Sequence, residues 1–246
     1  TMFGTRMKRF DVMAPGSRIV SGTAAGDVLL NSKTSFVAYT SDLYDKNSPL
    51  VVITFFNDDV SAMIMTKQDT YVLAKQRSSG DFVSYQVSKM KQHPDFQCGA
   101  EEFTIPQEIE NMQKNLNPDV NSMATNTLLK ANIAVESDFE TYSFFGNSVE
   151  RASNYIIALY VPVSAIYCRD VNVQLQITYL RVWSDVNDPY TTQSTSSPLL
   201  NEFRNYWNAN MQAVPRTLAH MVTTRPGGLG GIAWLNALCA NTSSGY

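Results

Sequence analysis

The sequence predicts a mixed α/β protein in which an N-terminal antiparallel β region is followed by a mostly parallel sheet with covering helices. Two observations support this fold class. Between residues 35 and 87, short runs of β-branched and aromatic residues alternate with turn formers, which is typical of an antiparallel meander. Between residues 128 and 224, strand-like and helix-like patterns alternate, as they do when crossover helices join parallel strands.

Composition sets the broad limits on function. At 246 residues the chain is long enough for two modest domains, each with its own core. Its 19 basic and 22 acidic residues give a net charge of −3, and no Lys/Arg cluster is long enough to follow a phosphate backbone. We therefore expect no nucleic-acid partner. No apolar run approaches the ~20 residues that a membrane-spanning helix needs, so we expect no membrane span.

The N-terminal β region is predicted to begin only after residue 30. Before that point, Pro15, Gly16 and Gly26 interrupt the pattern, and no regular element is expected. Polar turn formers such as those at 57–59 and 78–81 then separate successive apolar runs. The runs predicted as strands are residues 35–39, 50–56, 61–65, 70–74 and 82–87.

A polar segment containing Pro106 and Pro118 separates the two halves of the sequence. Its composition predicts a linker, with one short helix at residues 108–116. The expected organisation is therefore a β region, a linker and an α/β region. The boundaries we assign are residues 1–98, 99–127 and 128–246.

The second half begins with a predicted strand at residues 128–136. Apolar residues then recur at steps of three and four between 138 and 169, which indicates one buried helix face. Pro162 lies inside this stretch and should kink or split the helix, because proline removes a backbone donor. Residues 171–183 alternate apolar and polar side chains, which predicts a strand with one polar face.

The C-terminal part completes the alternation. Residues 185–197 form a predicted polar loop. A helix should follow up to residue 211, with Ser197 as its N-cap and Pro198 at its first position. Two short apolar runs around a glycine-rich turn, residues 218–224 and 230–234, predict strand, turn, strand.

Two carboxylates close the first strand of the second half. Glu136 and Asp138 have the spacing of a pair that could carry acid/base chemistry. The alternative is that they cap the helix that follows, where Asp is favoured.

Several short sequence motifs of the second half occur together in one known family of proteins. The chain resembles reprolysin-like (adamalysin, ADAM-type) metzincin zinc metallopeptidases over residues 128–246, and residues 62–73 resemble the end of their propeptide. The phrases that carry the resemblance are Ala219-His220, Thr224-Arg225, Gly231-Ile232-Ala233-Trp234 and Cys239, in that order.

The resemblance implies a secreted or cell-surface zinc endopeptidase, in which a metal-activated water hydrolyses a peptide bond. Zinc is implied for such a parent protein, but only His93 and His220 occur here, so H-E-x-x-H is absent. We therefore expect a chain that stops short of this motif, is inactive alone and has the remaining C-terminal catalytic segment as a partner. His220 is expected to be a core or interface histidine. Thr217 stands where many relatives have an acidic calcium ligand, so calcium is not expected.

The resemblance also implies two site assignments. An edge strand would align an extended polypeptide substrate by main-chain hydrogen bonds, although an ordinary edge strand fits the same pattern. Cys98 would act as an inhibitory switch on the zinc, although a structural or disulfide-bonded cysteine is the alternative. The residues assigned to substrate binding are Leu229, Gly230, Gly231, Ile232 and Ala233.

Two classes of function follow from these expectations. The first is part of a secreted zinc-dependent endopeptidase. The second is a non-catalytic binding or inhibitory fragment, or an adhesion module, related to such peptidases.

Overall fold

The computed structural model describes residues 5–30, 35–45, 47–76, 78–91, 127–226 and 230–234. In chain order the strands are β1 Lys8–Arg9, β2 Met13–Thr23, β3 Gly26–Leu29, β4 Phe36–Thr40, β5 Leu50–Phe56, β6 Val60–Met65, β7 Thr70–Lys75, β8 Phe82–Gln86, β9 Leu129–Ser137, β10 Val173–Trp183 and β11 Leu218–Val222. The helices are α1 Phe139–Phe144, α2 Val149–Val171 and α3 Ser196–Asn210, and a short 3-10 helix spans Val87–Lys89. The linker predicted at 99–127, with its helix at 108–116, lies almost entirely outside the described residues.

The first sheet, here called the meander sheet, confirms the predicted antiparallel region. Its strands follow the order β1-β4-β5-β6-β7-β8, and every neighbouring pair is antiparallel. Consecutive strands are neighbours because the turns between them are short and rich in Asp, Asn and Ser. Each of the five strands predicted between residues 35 and 87 is present within one or two residues.

The second sheet, here called the parallel sheet, follows the order β11-β9-β10-β2-β3. Its first three pairings are parallel and β2–β3 is antiparallel, so the predicted mostly parallel sheet is confirmed. The connection from β9 to its parallel neighbour β10 carries the helices α1 and α2, and the connection from β10 to β11 carries α3.

The expectation of no regular element before residue 30 is wrong. β2 is an 11-residue strand that pairs with β10. Its register jumps from Met13 opposite Ile177 to Arg18 opposite Tyr179, so Pro15 and Gly16 lie in a bulge, with Gly16 at φ 76°. A bulge accommodates both residues without ending the strand. The parallel sheet therefore contains strands from both regions that the sequence suggested.

The helix expected over residues 138–169 is two helices. Asp138 caps α1, whose end is followed by Gly146 and Asn147 at φ 69° and 57°, and Ser148 then caps α2. These left-handed residues turn the chain, since glycine and asparagine adopt that conformation most readily. α2 runs through Pro162 and is not split there.

α3 begins two residues earlier than expected, at Ser196 instead of Pro198. Thr195 occupies the N-cap position, so the assignment of Ser197 as the cap is wrong. Pro198 lies in the first turn, where its missing N–H has no helical partner to lose. None of the helices in the described ranges is both long and apolar enough to span a bilayer.

The parallel sheet has a core on each of its faces. On one face, α2 lies between the two sheets, and its Ile156 and Val161 pack with Val52 of the meander sheet and Ile177 of β10. On the other face, α3 contributes Phe203 and Trp207 against Tyr179 and Ala134. The expected helical cover of the sheet is thus present on both sides.

The strand β10 does not have the polar, solvent-facing side that its alternation suggested. A bulge between Ile177 and Tyr179 sends these two side chains into opposite cores. Gln174 and Gln176 are 9% and 6% exposed, so polar residues on this strand are buried. A central strand covered on both faces has no solvent side, which the alternation alone could not show.

Candidate functional site at the carboxyl ends of the parallel strands

Charged side chains gather where β9, β10 and β11 end. In open sheets of parallel strands, this edge is where ligand-binding residues usually lie. Glu136 and Asp138, the two carboxylates singled out in the sequence, are both fully buried there. They do not form a catalytic pair with each other, because each is bound by different partners.

Asp138 combines a capping role with an ion pair. Its Oδ1 accepts the backbone N–H of Thr141 at 3.0 Å and the hydroxyl of the same residue at 2.7 Å, as an N-cap does. Its Oδ2 accepts from Nε of Arg225 at 2.8 Å and from the hydroxyl of Thr223. Of the two readings left open for Asp138, the structure shows the helix cap.

The Arg225 guanidinium is fully buried and is held by several elements at once. Nη2 donates to Oε2 of Glu140 at 2.8 Å and to the carbonyl of Tyr190 at 2.9 Å, and Nη1 donates to the carbonyl of Thr192. A planar group with five donors suits such a set of acceptors. Arg225 thereby ties the chain after β11 to helix α1 and to the loop before α3.

Asp188 completes the acidic surroundings of Arg225 from the same loop. Its Oδ1 lies 3.9 Å from Nη2 of Arg225 and accepts from the backbone of Tyr190, while Oδ2 accepts from the backbone of Phe139 at 2.7 Å. Burial raises the pKa of this carboxyl.

Glu136 is held mainly by neutral donors on the α3 side of the sheet. The indole N–H groups of Trp183 and Trp207 donate to its two oxygens at 2.7 and 2.8 Å, and the hydroxyl of Tyr190 also donates. Nη1 of Arg181 lies 3.7 Å away. Burial raises the pKa of Glu136, and these partners oppose that rise. Glu136 does not cap a helix.

Arg181 connects this buried site to β3. Its Nε lies 2.9 Å from Oδ1 of Asp27, its Nη1 donates to the hydroxyl of Tyr206 at 2.8 Å, and its guanidinium lies 4.1 Å from the ring centre of Trp183. Gly22 is required beside it, because a Cβ there would lie 2.6 Å from Nε of Arg181. A charged residue inside the apolar run 180–183 was the sequence signal for such a network, since a buried arginine needs partners.

The predicted strand at residues 230–234 is not a strand in the structure. The segment lies beside α3, where Ser196 donates its hydroxyl to the carbonyl of Gly230 at 3.0 Å and Arg204 lies 4.6 Å from the ring centre of Trp234. Residues 230, 232 and 234 are half-buried, whereas Gly231 and Ala233 are exposed. No atom lies within 4 Å of a Cβ placed on Gly231, so a side chain would have room at this position. Leu229 is outside the described residues.

His220 lies on β11, the last strand on its side of the parallel sheet. Its ring packs against Tyr160 of α2, with ring centres 5.8 Å apart, and its Nδ1 shares a hydrogen bond with the tyrosine hydroxyl. The residue as a whole is exposed, so the structure does not place His220 in the core. Thr217, at the position of the doubted calcium ligand, accepts the backbone N–H of Asn132 at 3.0 Å.

The residues in the described ranges do not fit a zinc centre. They contain no group of three or more His, Cys, Asp or Glu side chains that could hold a metal ion. Cys168 is buried, and burial raises the pKa of its thiol to about 11, which keeps it protonated at neutral pH. Cys98, the assigned inhibitory switch, and His93 lie outside the described residues.

Comparison with known proteins gives one family. Residues 153–246 match the family model of reprolysin-like metallopeptidases of family M12B. This match confirms the resemblance over most of α2, β10, α3, β11 and residues 230–234. Among solved structures, the chain is similar to metalloproteinase-II from Bacteroides fragilis, with 12% identity and a TM-score of 0.42, over 98% of this chain and 69% of that one. No curated protein matches the chain.

Proposed function

We propose that this chain is part of a secreted or cell-surface zinc-dependent endopeptidase related to the reprolysins, and that its substrate is an extended polypeptide. The match of residues 153–246 to the M12B family carries the proposal, because that family is zinc-dependent in general. The described residues do not fit a zinc centre, so the proposal assigns them substrate alignment and no catalytic step.

The aligning segment proposed is the stretch from Leu229 to Ala233. Two observations support it. The exposed positions Gly231 and Ala233 alternate with half-buried positions, so the two faces of the segment have different surroundings. The space beside Gly231 allows a guest backbone to approach closely, which a larger side chain would prevent.

Peptide binding to the full chain tests this assignment. The probe is a library of unstructured decapeptides with a fluorophore, followed by fluorescence anisotropy. Gly231→Val should weaken binding at least tenfold by occupying this space, whereas Gly231→Ala should change it less than threefold. Equal affinities for the two variants, or no binding to the unsubstituted chain, would contradict the proposal.

A second candidate is a non-catalytic binding or inhibitory protein related to these peptidases. Both candidates are consistent with the absence of H-E-x-x-H from these 246 residues. Zinc stoichiometry by elemental analysis and hydrolysis of the same peptides, each measured with and without the remaining C-terminal catalytic segment, separate the two candidates. Peptide binding with neither zinc nor hydrolysis is the result expected for this chain alone. Stoichiometric zinc in the purified chain would show that residues outside the described ranges do form a metal site.

A further inference from the structure

A cleft of about 510 Å³ opens at the other end of the parallel sheet, where β2, β9 and β10 begin. Its walls include the apolar Met13 and Leu128 and the polar Lys130, Gln174 and Gln176. The volume lies within the range of about 300 to 1,000 Å³ that small-molecule sites occupy.

Gln176 is the unusual residue of this cleft. It is only 6% exposed, yet its side-chain amide has no hydrogen-bond partner in the part of the chain that the structure describes. An amide offers two N–H donors and one acceptor. Neither polar atom of this amide is among the buried side-chain atoms of the described residues that lack a partner, so the amide is accessible from the cleft and available to a ligand that enters it.

Gln174, two residues earlier on the same face of β10, is fixed in place. Its Nε2 donates to the backbone carbonyl of Asp11 at 3.0 Å, and the residue is 9% exposed. Its carbonyl oxygen accepts no hydrogen bond from the described residues. The cleft thus contains two neighbouring side-chain amides whose remaining hydrogen-bond donors and acceptors could pair with the amide of a ligand.

The charge balance of the cleft adds a second requirement. Arg9 is paired with Asp11 at 3.1 Å, so these two charges largely cancel. Lys130 is exposed at the cleft and has no ion pair within the described ranges. An unpaired ammonium beside two amides favours an anionic group on the ligand.

We propose that this cleft binds a carboxylate-bearing amide: an N-acylated amino acid or the carboxyl terminus of a peptide. Lys130 receives the carboxylate, the side-chain amides of Gln174 and Gln176 pair with the ligand amide, and Met13 and Leu128 receive an apolar side chain. The site does not depend on the function proposed for residues 229–233.

Calorimetric titration of the full chain tests the ligand chemistry. The probes are N-acetyl-leucine, its uncharged carboxamide, and acetyl-Gly-Gly-Leu. N-acetyl-leucine should bind at least tenfold more tightly than its carboxamide. A further gain for the peptide identifies a peptide terminus as the natural source, and equal or weaker binding identifies a small molecule. Equal binding of the acid and the carboxamide, or no binding of any probe at 10 mM, would overturn the proposal.

Variants test the residues. Gln176→Leu should weaken binding of N-acetyl-leucine at least tenfold without lowering the melting temperature of the free protein, because this amide makes no hydrogen bond with the described residues. Lys130→Met should weaken it at least fivefold. The matched controls Gln68→Leu and Lys67→Met change the same residue types in an exposed turn and should leave affinity unchanged. A lower melting temperature for Gln176→Leu would show a structural role for the amide and overturn its assignment.

Discussion

At the carboxyl ends of the parallel strands, buried charged groups are paired within the chain, whereas at the amino ends the side-chain amide of Gln176 lines a cleft and makes no hydrogen bond with the described residues. Arg225 and Asp138 lie 2.8 Å apart and are both fully buried. Burying a charge without a partner costs far more than burying an amide. The comparison indicates that the carboxyl-end cluster stabilises the fold and that the amino-end cleft has polar groups available for a ligand.

The largest expected effect comes from breaking the carboxyl-end cluster. Arg225→Leu leaves Asp138 and Glu140 without their cation and should lower the free energy of unfolding by about 3 to 5 kcal/mol. Urea unfolding measures it. Arg151→Leu, at an exposed position of α2, is the control and should change stability by less than about 0.5 kcal/mol. The double variant Arg225→Leu/Asp138→Asn should recover part of the loss, and full additivity would contradict the coupling.

Glu136→Gln tests the hydrogen bonds that neutral donors make to the buried carboxylate of Glu136. Two indole N–H groups and a tyrosine hydroxyl donate to this carboxylate, and a glutamine offers only one acceptor oxygen. The unpaired donor that results should cost about 1 to 3 kcal/mol at neutral pH, again by urea unfolding. An unchanged midpoint would show that Glu136 is not the acceptor for these groups.

The same variant reports on pH dependence. Because burial raises the pKa of Glu136 above 4.5, the folded protein holds this proton more tightly than the unfolded chain does. The stability from this group is present below pH 4.5 and is lost as the pH rises through the folded pKa. As the pH rises above 4.5, the unsubstituted chain should therefore lose stability relative to Glu136→Gln. Parallel stability curves for the two proteins would contradict the raised pKa.

Gly22 and Gly231 differ in how much space surrounds them. Gly22→Ala would place a Cβ 2.6 Å from Nε of Arg181, and the resulting overpacking should cost about 1 to 3 kcal/mol. Gly231→Ala meets no atom within 4 Å and should change the melting temperature little. Equal melting temperatures for the two variants would show that β2 does not pack against Arg181 as described.

The smallest effect is expected from an exposed pair at the amino-end cleft. Arg9 and Asp11 are 3.1 Å apart but 64% and 62% exposed, so Asp11→Asn should cost about 0 to 1 kcal/mol, and less in high salt. Urea unfolding at low and high salt checks both points. A loss as large as that of Arg225→Leu would remove the distinction between the two ends of the sheet.

Sequence patterns predicted the local elements well where each element carried its own signal. The strands β4 to β8, β9, β10 and the start of α3 were found within a few residues, because short β-branched runs and helical spacing act within the element itself. Ser197 was wrongly assigned as the cap of α3, because the helix begins before it. Residues 230–234 had the composition of a strand, but a strand also needs a partner to pair with, and sequence alone does not supply one.

The candidate site was predicted in part. Asp138 as a cap followed from its position, and the phrase Thr224-Arg225 marked a residue that the structure shows at the centre of the charged cluster. The partners of Glu136 come from residues 47, 54 and 71 positions later in the chain, and no local pattern brings them together.

The sequence by itself determined the alternation of strands and helices, the resemblance to reprolysin-like metallopeptidases and the lack of H-E-x-x-H, because each depends on residues close together in the chain. Only the tertiary structure decided that β2 and β3 join the parallel sheet beside β10, that Glu136 is held by Trp183 and Trp207, and that Gln176 lines a cleft. These features depend on pairing and burial between distant segments, which are properties of the folded chain as a whole.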